Sequence, residues 1–178
     1  MTLPLTQKEF VIAGLLSEGP CYGYEIEQKI ENRGMREWTK IGFSSIYHIL
    51  NKLTKAGYAT KTPKIVGGKI QQIYQLTPRG KEVLNRQIRK SITTVQKSYS
   101  DFDVAIANTM GIPSEEVRAL LGQRIEELDK KITELENLKQ KKLENGTPDI
   151  PAVTILFDRP LALLRAEKTF LQSYIEKF

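Results

Sequence analysis

The sequence predicts a mostly α chain with one small antiparallel β hairpin, and three observations lead there. Apolar residues recur every three or four positions through much of the 178 residues. Two strand-like runs, Tyr58 to Ile65 and Ile70 to Leu76, meet at Gly67-Gly68. Charge is divided unevenly: up to Lys81, twelve Lys/Arg stand against six Asp/Glu, and beyond it fifteen stand against fifteen. The expected division is a first domain over residues 1–80 and a helical region over 81–178.

Each element has its own signal. Thr6 and Glu9 have the spacing of a capping box, opening a helix through Phe10, Val11, Ile12, Leu15 and Leu16 that stops at Gly19-Pro20. A second helix is expected through Tyr22, Tyr24, Ile26 and Ile30. Arg33 to Phe43 reads as a loop, with Trp38 plugging the core. A third helix starts after an N-cap at Ser44 or Ser45 and buries Ile46, Ile49, Leu50 and Leu53, which fall at i, i+3, i+4 and i+7. Opposite that stripe lie Ser44, His48, Asn51 and Lys55; Ser45 and Lys52 flank them on one side and Tyr47 on the other. Gly57 ends the helix. In the hairpin, Pro63 suits an edge strand because it cannot donate to a ladder.

Beyond the hairpin, Thr77-Pro78 caps a long helix whose apolar positions run from Leu84 through Ile88, Ile92, Val95, Tyr99 and Phe102 to Ile106. Gly111-Ile112-Pro113 breaks it and Ser114 caps the next. There Leu121, Ile125, Leu128, Ile132 and Leu135 alternate steps of four and three, a short heptad seam expected to join two copies of the chain. Asn145-Gly146-Thr147-Pro148 ends that helix, and a last one begins at Pro151 or Arg159 and runs to Phe178.

Trp38 to Lys81 contains no Asp or Glu, yet it carries eight positive charges: Lys40, Lys52, Lys55, Lys61, Lys64, Lys69, Arg79 and Lys81. Such a stretch attracts a polyanion. A helix with a polar, basic outward face followed by a basic hairpin is how a winged helix-turn-helix meets a DNA duplex. Asn51 has the chemistry to read adenine, and Lys52 to reach guanine or a phosphate. Ser44 and Ser45 can donate to phosphate from the helix N-terminus, with His48 and Lys55 on the same face. For Tyr47 two readings stand: its hydroxyl on a phosphate, or its ring in the core. Lys64 and Lys69 flank the hairpin tip and can approach the backbone or minor groove.

Other classes fit poorly. His48 is the sole histidine and Cys21 the sole cysteine, in different elements, so a Cys–His pair is unsupported and no intrachain disulfide can form. No cluster has metal-ligand spacing, and Gly67-Gly68 lacks the residues of a phosphate loop, so neither an enzyme nor a cofactor is expected. The first residues lack the pattern of a signal peptide and no apolar run is long enough to span a bilayer, so a cytoplasmic location is expected. The rival reading is a winged-helix protein-docking module assembled through a coiled-coil tail, against which the unbroken positive field argues.

The first part of the chain resembles the PadR family of bacterial transcriptional regulators. The resemblance rests on Tyr22 to Ile26 (YGYEI), Trp38, Ser44 to Tyr58 (SSIYHILNKLTKAGY) and Ile73 to Lys81 (IYQLTPRGK). Ile46, Tyr47, Leu50, Leu53 and Gly57 match the family's recognition helix, and Tyr74, Leu76, Thr77 and Gly80 match its signature after the wing. His48 departs from a frequent proline. The resemblance implies a winged helix-turn-helix, a helical C-terminal region that forms a homodimer, binding to double-stranded DNA, and repression often released by a small-molecule effector. A twofold dimer implies an inverted-repeat operator.

Overall fold

The computed structural model describes residues 4–95, 97–146 and 151–178. The chain forms two compact units, Met1–Gln96 and Lys97–Phe178.

The first unit opens with α1 (Gln7–Ser17). Its capping box forms as expected: the Thr6 backbone N–H donates to Glu9 Oε2 at 2.8 Å, and the Glu9 N–H to Thr6 Oγ1 at 3.4 Å. There follow β1 (Cys21–Tyr22), α2 (Gly23–Asn32), a 3-10 turn at Met35–Glu37, α3 (Phe43–Lys55), β2 (Ala59–Val66), β3 (Lys69–Leu76) and α4 (Pro78–Thr93). The hairpin pairs in register from Ala59–Leu76 to Val66–Lys69. Its two loop residues, Gly67 at φ 55° and Gly68 at φ 75°, both take the left-handed conformation that a tight primed turn requires. Strand order is β1-β3-β2, so Pro63 does lie on an edge strand.

The core of this unit is one cluster in which Ile12, Leu16, Ile26, Ile30, Ile46, Leu50 and Leu53 are fully buried. Each contributes about 1.5–3 kcal/mol relative to exposure. The segment after β3 is locked to the end of α3. Thr77 Oγ1 accepts from the Gly80 N–H at 3.0 Å and donates to the Gly57 carbonyl at 2.8 Å, while the Thr77 N–H donates to the Tyr58 carbonyl at 3.0 Å. A β-carbon on Gly80 would fall 2.0 Å from that Tyr58 oxygen. The Thr-x-x-Gly spacing is thus a cap and a close backbone contact in one.

The second unit consists of α5 (Asp101–Ala107), a 3-10 turn at Thr109–Gly111, α6 (Ser114–Glu144), α7 (Pro151–Tyr174) and a closing 3-10 turn at Ile175–Lys177. In the ion pairs Arg124–Glu167, Asp129–Lys168, Glu136–Arg165 and Lys139–Asp158, the two earlier positions on α6 meet the two later ones on α7 and the reverse, so the two helices are antiparallel. Between them Val117, Leu121, Leu128 and Leu171 form a core, flanked by Phe102, Ile106, Ile125, Leu164, Ile175 and Phe178.

Several expectations need correction. Cys21 and Tyr22 are not the start of α2; they pair with Tyr74 and Ile73 as a third strand, which is too short to carry a periodic signal. The long helix expected from Pro78 to beyond Ile106 is two helices. Thr93 Oγ1 bonds back to the Arg89 carbonyl at 2.9 Å, Thr94 is extended, and Ser100 caps a new helix by accepting from the Phe102 N–H at 3.2 Å. Within the single chain nothing rewards continuity, since Ile92, Val95 and Tyr99 are all more than three-quarters exposed. Two expected caps also move: α3 starts at Phe43 after Gly42, placing Ser44 and Ser45 in its first turn, and α6 starts at Ser114 after Pro113. Asn145 and Gly146 end α6 as expected, whereas Thr147 and Pro148 lie outside the described residues. The last helix starts at Pro151 and continues through Pro160.

Replacing Gly80 with alanine is expected to destabilise the first unit by about 1–3 kcal/mol or more, because the opposing atom is backbone and cannot swing aside. A denaturant midpoint unchanged by Gly80→Ala would contradict this contact.

Candidate nucleic-acid interface

Burial of the α3 stripe decides where the functional face points. Ile46, Ile49, Leu50 and Leu53 are buried, and α3 packs against α1, α2 and β2. Ser44, His48, Asn51 and Lys55 are therefore exposed on the far side, with Ser45 half-buried at the margin. Lys64 and Lys69 are exposed beside the hairpin turn, as is Lys61 further down β2. Among the described residues, none of Lys40, Lys55, Lys61, Lys64 and Lys69 has a carboxylate partner. The structure thus brings the outward α3 residues and the wing lysines into one unit as exposed groups.

Lys52 is different. Its ammonium lies 2.6 Å from Glu9 Oε1, and the Glu9 side chain is only 8 % exposed. Lys52 occupies the margin of the α3 wheel that faces α1, which is why the one acidic residue of that helix's first turn can reach it. Burial alone would raise the Glu9 carboxyl; the hydrogen bonds from Lys52 and from the Thr6 N–H and hydroxyl outweigh it and hold the carboxyl below its usual range. A lysine expected at a base or phosphate is thus joined to the N-terminal cap of α1.

Tyr47 lies at the edge of the domain core rather than within it. It is 44 % exposed, yet its ring lies over Gly23, where a β-carbon would sit 2.5 Å from Cε1. Its neighbour Phe43, 59 % exposed, meets it edge-on with centroids 6.5 Å apart. Phe43 was not among the expected site residues; its i, i+4 relation to Tyr47 is the signal that points to it. Tyr24 is also substantially exposed and stacks on Tyr22, with ring centroids 5.8 Å apart. Glu25 Oε2 holds this turn by accepting from the Tyr22 N–H at 2.7 Å.

Trp38 does not plug the core. It is 43 % exposed and lines a groove of about 230 Å³ with Phe10, Val11, Gly14, Leu15 and Met35. At the groove's rim Arg33 grips Glu18 through both guanidinium nitrogens, at 2.5 and 2.9 Å, and that contact, ahead of the desolvation opposing it, holds the Glu18 carboxyl low. The polar Arg33–Glu18 pair satisfies itself, so the groove offers a ligand mainly apolar and aromatic surface.

Of the heptad residues, Leu121, Leu128 and Ile132 are buried and Ile125 and Leu135 half-buried within a single chain. Leu121, Ile125 and Leu128 share their cluster with Leu164 and Leu171 of α7. Periodicity reveals an apolar stripe but not what covers it, and here α7 of the same chain covers much of it. No group of three or more His, Cys, Asp or Glu suited to a metal occurs among the described residues, and no described helix is long and apolar enough to cross a membrane.

Glu9 contributes stability that is complete above its usual value of 4.5 and is lost as pH falls through its lowered value. Glu9→Gln is expected to shrink the loss of melting temperature on acidification below about pH 4.5. Equal acid sensitivity in both proteins would remove Glu9 from this role.

Comparison with known proteins agrees with this geometry. Residues 12–86 match the family model described as transcriptional regulator PadR-like. Bacillus subtilis PadR, solved in complex with operator DNA, is 21 % identical with a TM-score of 0.73, covering 95 % of this chain and 97 % of its own. The same protein has been solved with p-coumaric acid, at 19 % identity and TM-score 0.73, covering 95 % of this chain and 96 % of its own. The protein smu.1604c from Streptococcus mutans UA159 is 25 % identical with a TM-score of 0.60, over 96 % of this chain and 99 % of its own. The PadR-like transcriptional regulator BC1756 from Bacillus cereus is 23 % identical with a TM-score of 0.61, over 96 % and 97 %. No curated protein matches the sequence. The chain thus carries a segment, residues 12–86, that matches the PadR-like transcriptional regulator family, and it shares its fold along nearly its whole length with PadR structures.

Proposed function

We propose that this chain is a dimeric repressor that binds an inverted-repeat operator. In this reading α3 enters the major groove and the β2–β3 wing lies along the adjacent backbone. One observation carries it: the outward α3 face and the wing present Lys55, Lys61, Lys64 and Lys69 with no carboxylate among them. Asn51 stands on that face as the residue best suited to discriminate bases, while Ser44, Ser45 and His48 offer hydrogen bonds to phosphates or base edges. Lys52 acts chiefly through its bond to Glu9. The operator complex of the B. subtilis relative supports the reading, and its p-coumaric acid complex supports control by a small molecule. On this chain the groove beside Trp38 suits a small planar apolar effector. The DNA-binding part corresponds to residues 1–80 and the dimerising part to 81–178.

The dimer rests on an outer face of the second unit. On α7 the flank beside Leu164 and Leu171 carries Leu156, Leu163, Phe170 and Tyr174, all exposed, with Ile155 exposed further round the helix. A helix apolar on two sides has one more surface to cover than α6 supplies, and a second copy is the proposed cover. A twofold pair would set two α3 helices about 34 Å apart, or a multiple of it.

Duplexes selected from a random library by the protein test the main reading. Log affinity for them is expected to fall with log salt by about 0.9 per phosphate contact. Asn51→Ala should cost about 1–3 kcal/mol on the selected duplex and little on random ones. Adding small planar aromatic compounds should release the protein from that duplex. A salt slope near zero would instead favour a docking module. Separately, Leu163→Glu with Phe170→Glu is expected to yield a folded monomer in sedimentation, and an unchanged dimer would exclude this face.

A further inference from the structure

The wing tip carries an apolar pair that neither the core nor the basic surface explains. Ile65 and Ile70 face each other across β2 and β3, one position before the Val66–Lys69 pair that closes the turn. They are 75 % and 73 % exposed. Side chains alternate along strands, so this face also carries Pro63–Gln72 and, nearer the base, Lys61–Tyr74. Tyr74 is buried at 4 %. The face that serves as core at the base of the wing therefore continues over the tip with nothing beneath it. Lys61 lies on the same face, and Lys64 and Lys69 on the opposite face of the same hairpin, all three exposed and without a carboxylate partner among the described residues.

Water is a poor medium for two adjacent isoleucines, and a protein partner is a poor match for their setting. With ammonium groups on both faces of the same narrow hairpin, the fitting partner has negative charge on either side and is apolar between the charges. The DNA minor groove has that make-up: phosphates on both rims and, within, sugar C–H groups and base edges that offer little hydrogen-bond information. Apolar side chains inserted there sense groove width and the ease of unstacking a base step. A two-residue turn makes the tip narrow enough to enter, and cross-strand pairing holds both isoleucines on the same face.

The geometry points to the Ile65–Ile70 pair as an apolar wedge seated in the minor groove flanking each half-site, where it favours narrow or easily unstacked A·T-rich flanks. The inference rests on the DNA-binding reading above and adds to it a source of specificity independent of α3. The lysines would supply phosphate contacts, which are indifferent to sequence. The isoleucines would supply the preference for the flank.

The test uses the full chain and its library-selected duplex, in two versions differing only by A·T or G·C pairs at the flank. Ile65→Ser with Ile70→Ser removes the wedge at positions already exposed, and an unchanged melting temperature checks the fold. The double variant is expected to bind the A·T-flanked duplex about tenfold more weakly. It should also lose the distinction between flanks and keep the salt slope of the unaltered chain, since no phosphate contact is lost. Lys64→Ala with Lys69→Ala should do the reverse, lowering the slope and leaving the flank preference. Unchanged affinity and flank preference after removal of both isoleucines would overturn the wedge. So would a change in oligomeric state with DNA binding intact, which would mean that a second copy covers the pair. If the unaltered chain binds no duplex at low salt, the DNA reading itself fails and takes the wedge with it.

Discussion

The contact on which the rest depends is the burial of one stripe of α3, formed by Ile46, Ile49, Leu50 and Leu53, in the core built by α1 and α2. Burying those four side chains contributes several kcal/mol and fixes the rotation of the helix about its axis. Rotation in turn decides function, because the polar residues opposite the stripe have only one direction left to point. The same core positions the wing. Ala59 and Leu76 are buried at its base, and the Thr77–Gly80 contact ties the chain leaving β3 to the chain leaving α3. Helix α3 and the hairpin are thus held to one frame rather than tethered by a loop.

Electrostatics within that frame is arranged by exclusion. All six acids up to Lys81 precede Trp38, and those that pair with cations do so mostly among α1, α2 and the turn after it, as in Glu18 with Lys29 and Arg33, or Glu27 with Arg36. Glu9 is the exception that reaches α3. By holding Lys52 it ties the margin of that helix to the capping box of α1, so a single carboxylate serves both a helix start and a helix–helix contact. Among the described residues, the exposed cations without a carboxylate partner include those of the outward α3 face and the wing.

The second unit follows a different logic. Its opposite charges pair across α6 and α7, which fixes the antiparallel register, while the apolar contacts between the two helices supply most of the stability. What distinguishes it is surplus. After α6 has been covered, α7 still shows Leu163, Phe170 and Tyr174 to solvent, and an uncovered stripe on a helical hairpin calls for another surface.

By itself the sequence determined whatever depends on neighbours a few residues away. The Thr6–Glu9 cap, the Gly67-Gly68 turn, the edge position of Pro63, the α3 stripe and the acid-free span are all consequences of local spacing and composition, and the fold class and the outward face of α3 follow from them. Only the tertiary structure decided what depends on distant partners. That Lys52 meets Glu9 is a contact across 43 positions of chain. That Cys21–Tyr22 is a strand requires β3 to be present, and that the heptad seam is covered by α7 requires the chain to double back. The helix expected across residues 94–100 fails for the same reason. An apolar period is a promise of burial, and it becomes structure only where some other part of the fold arrives to cover it.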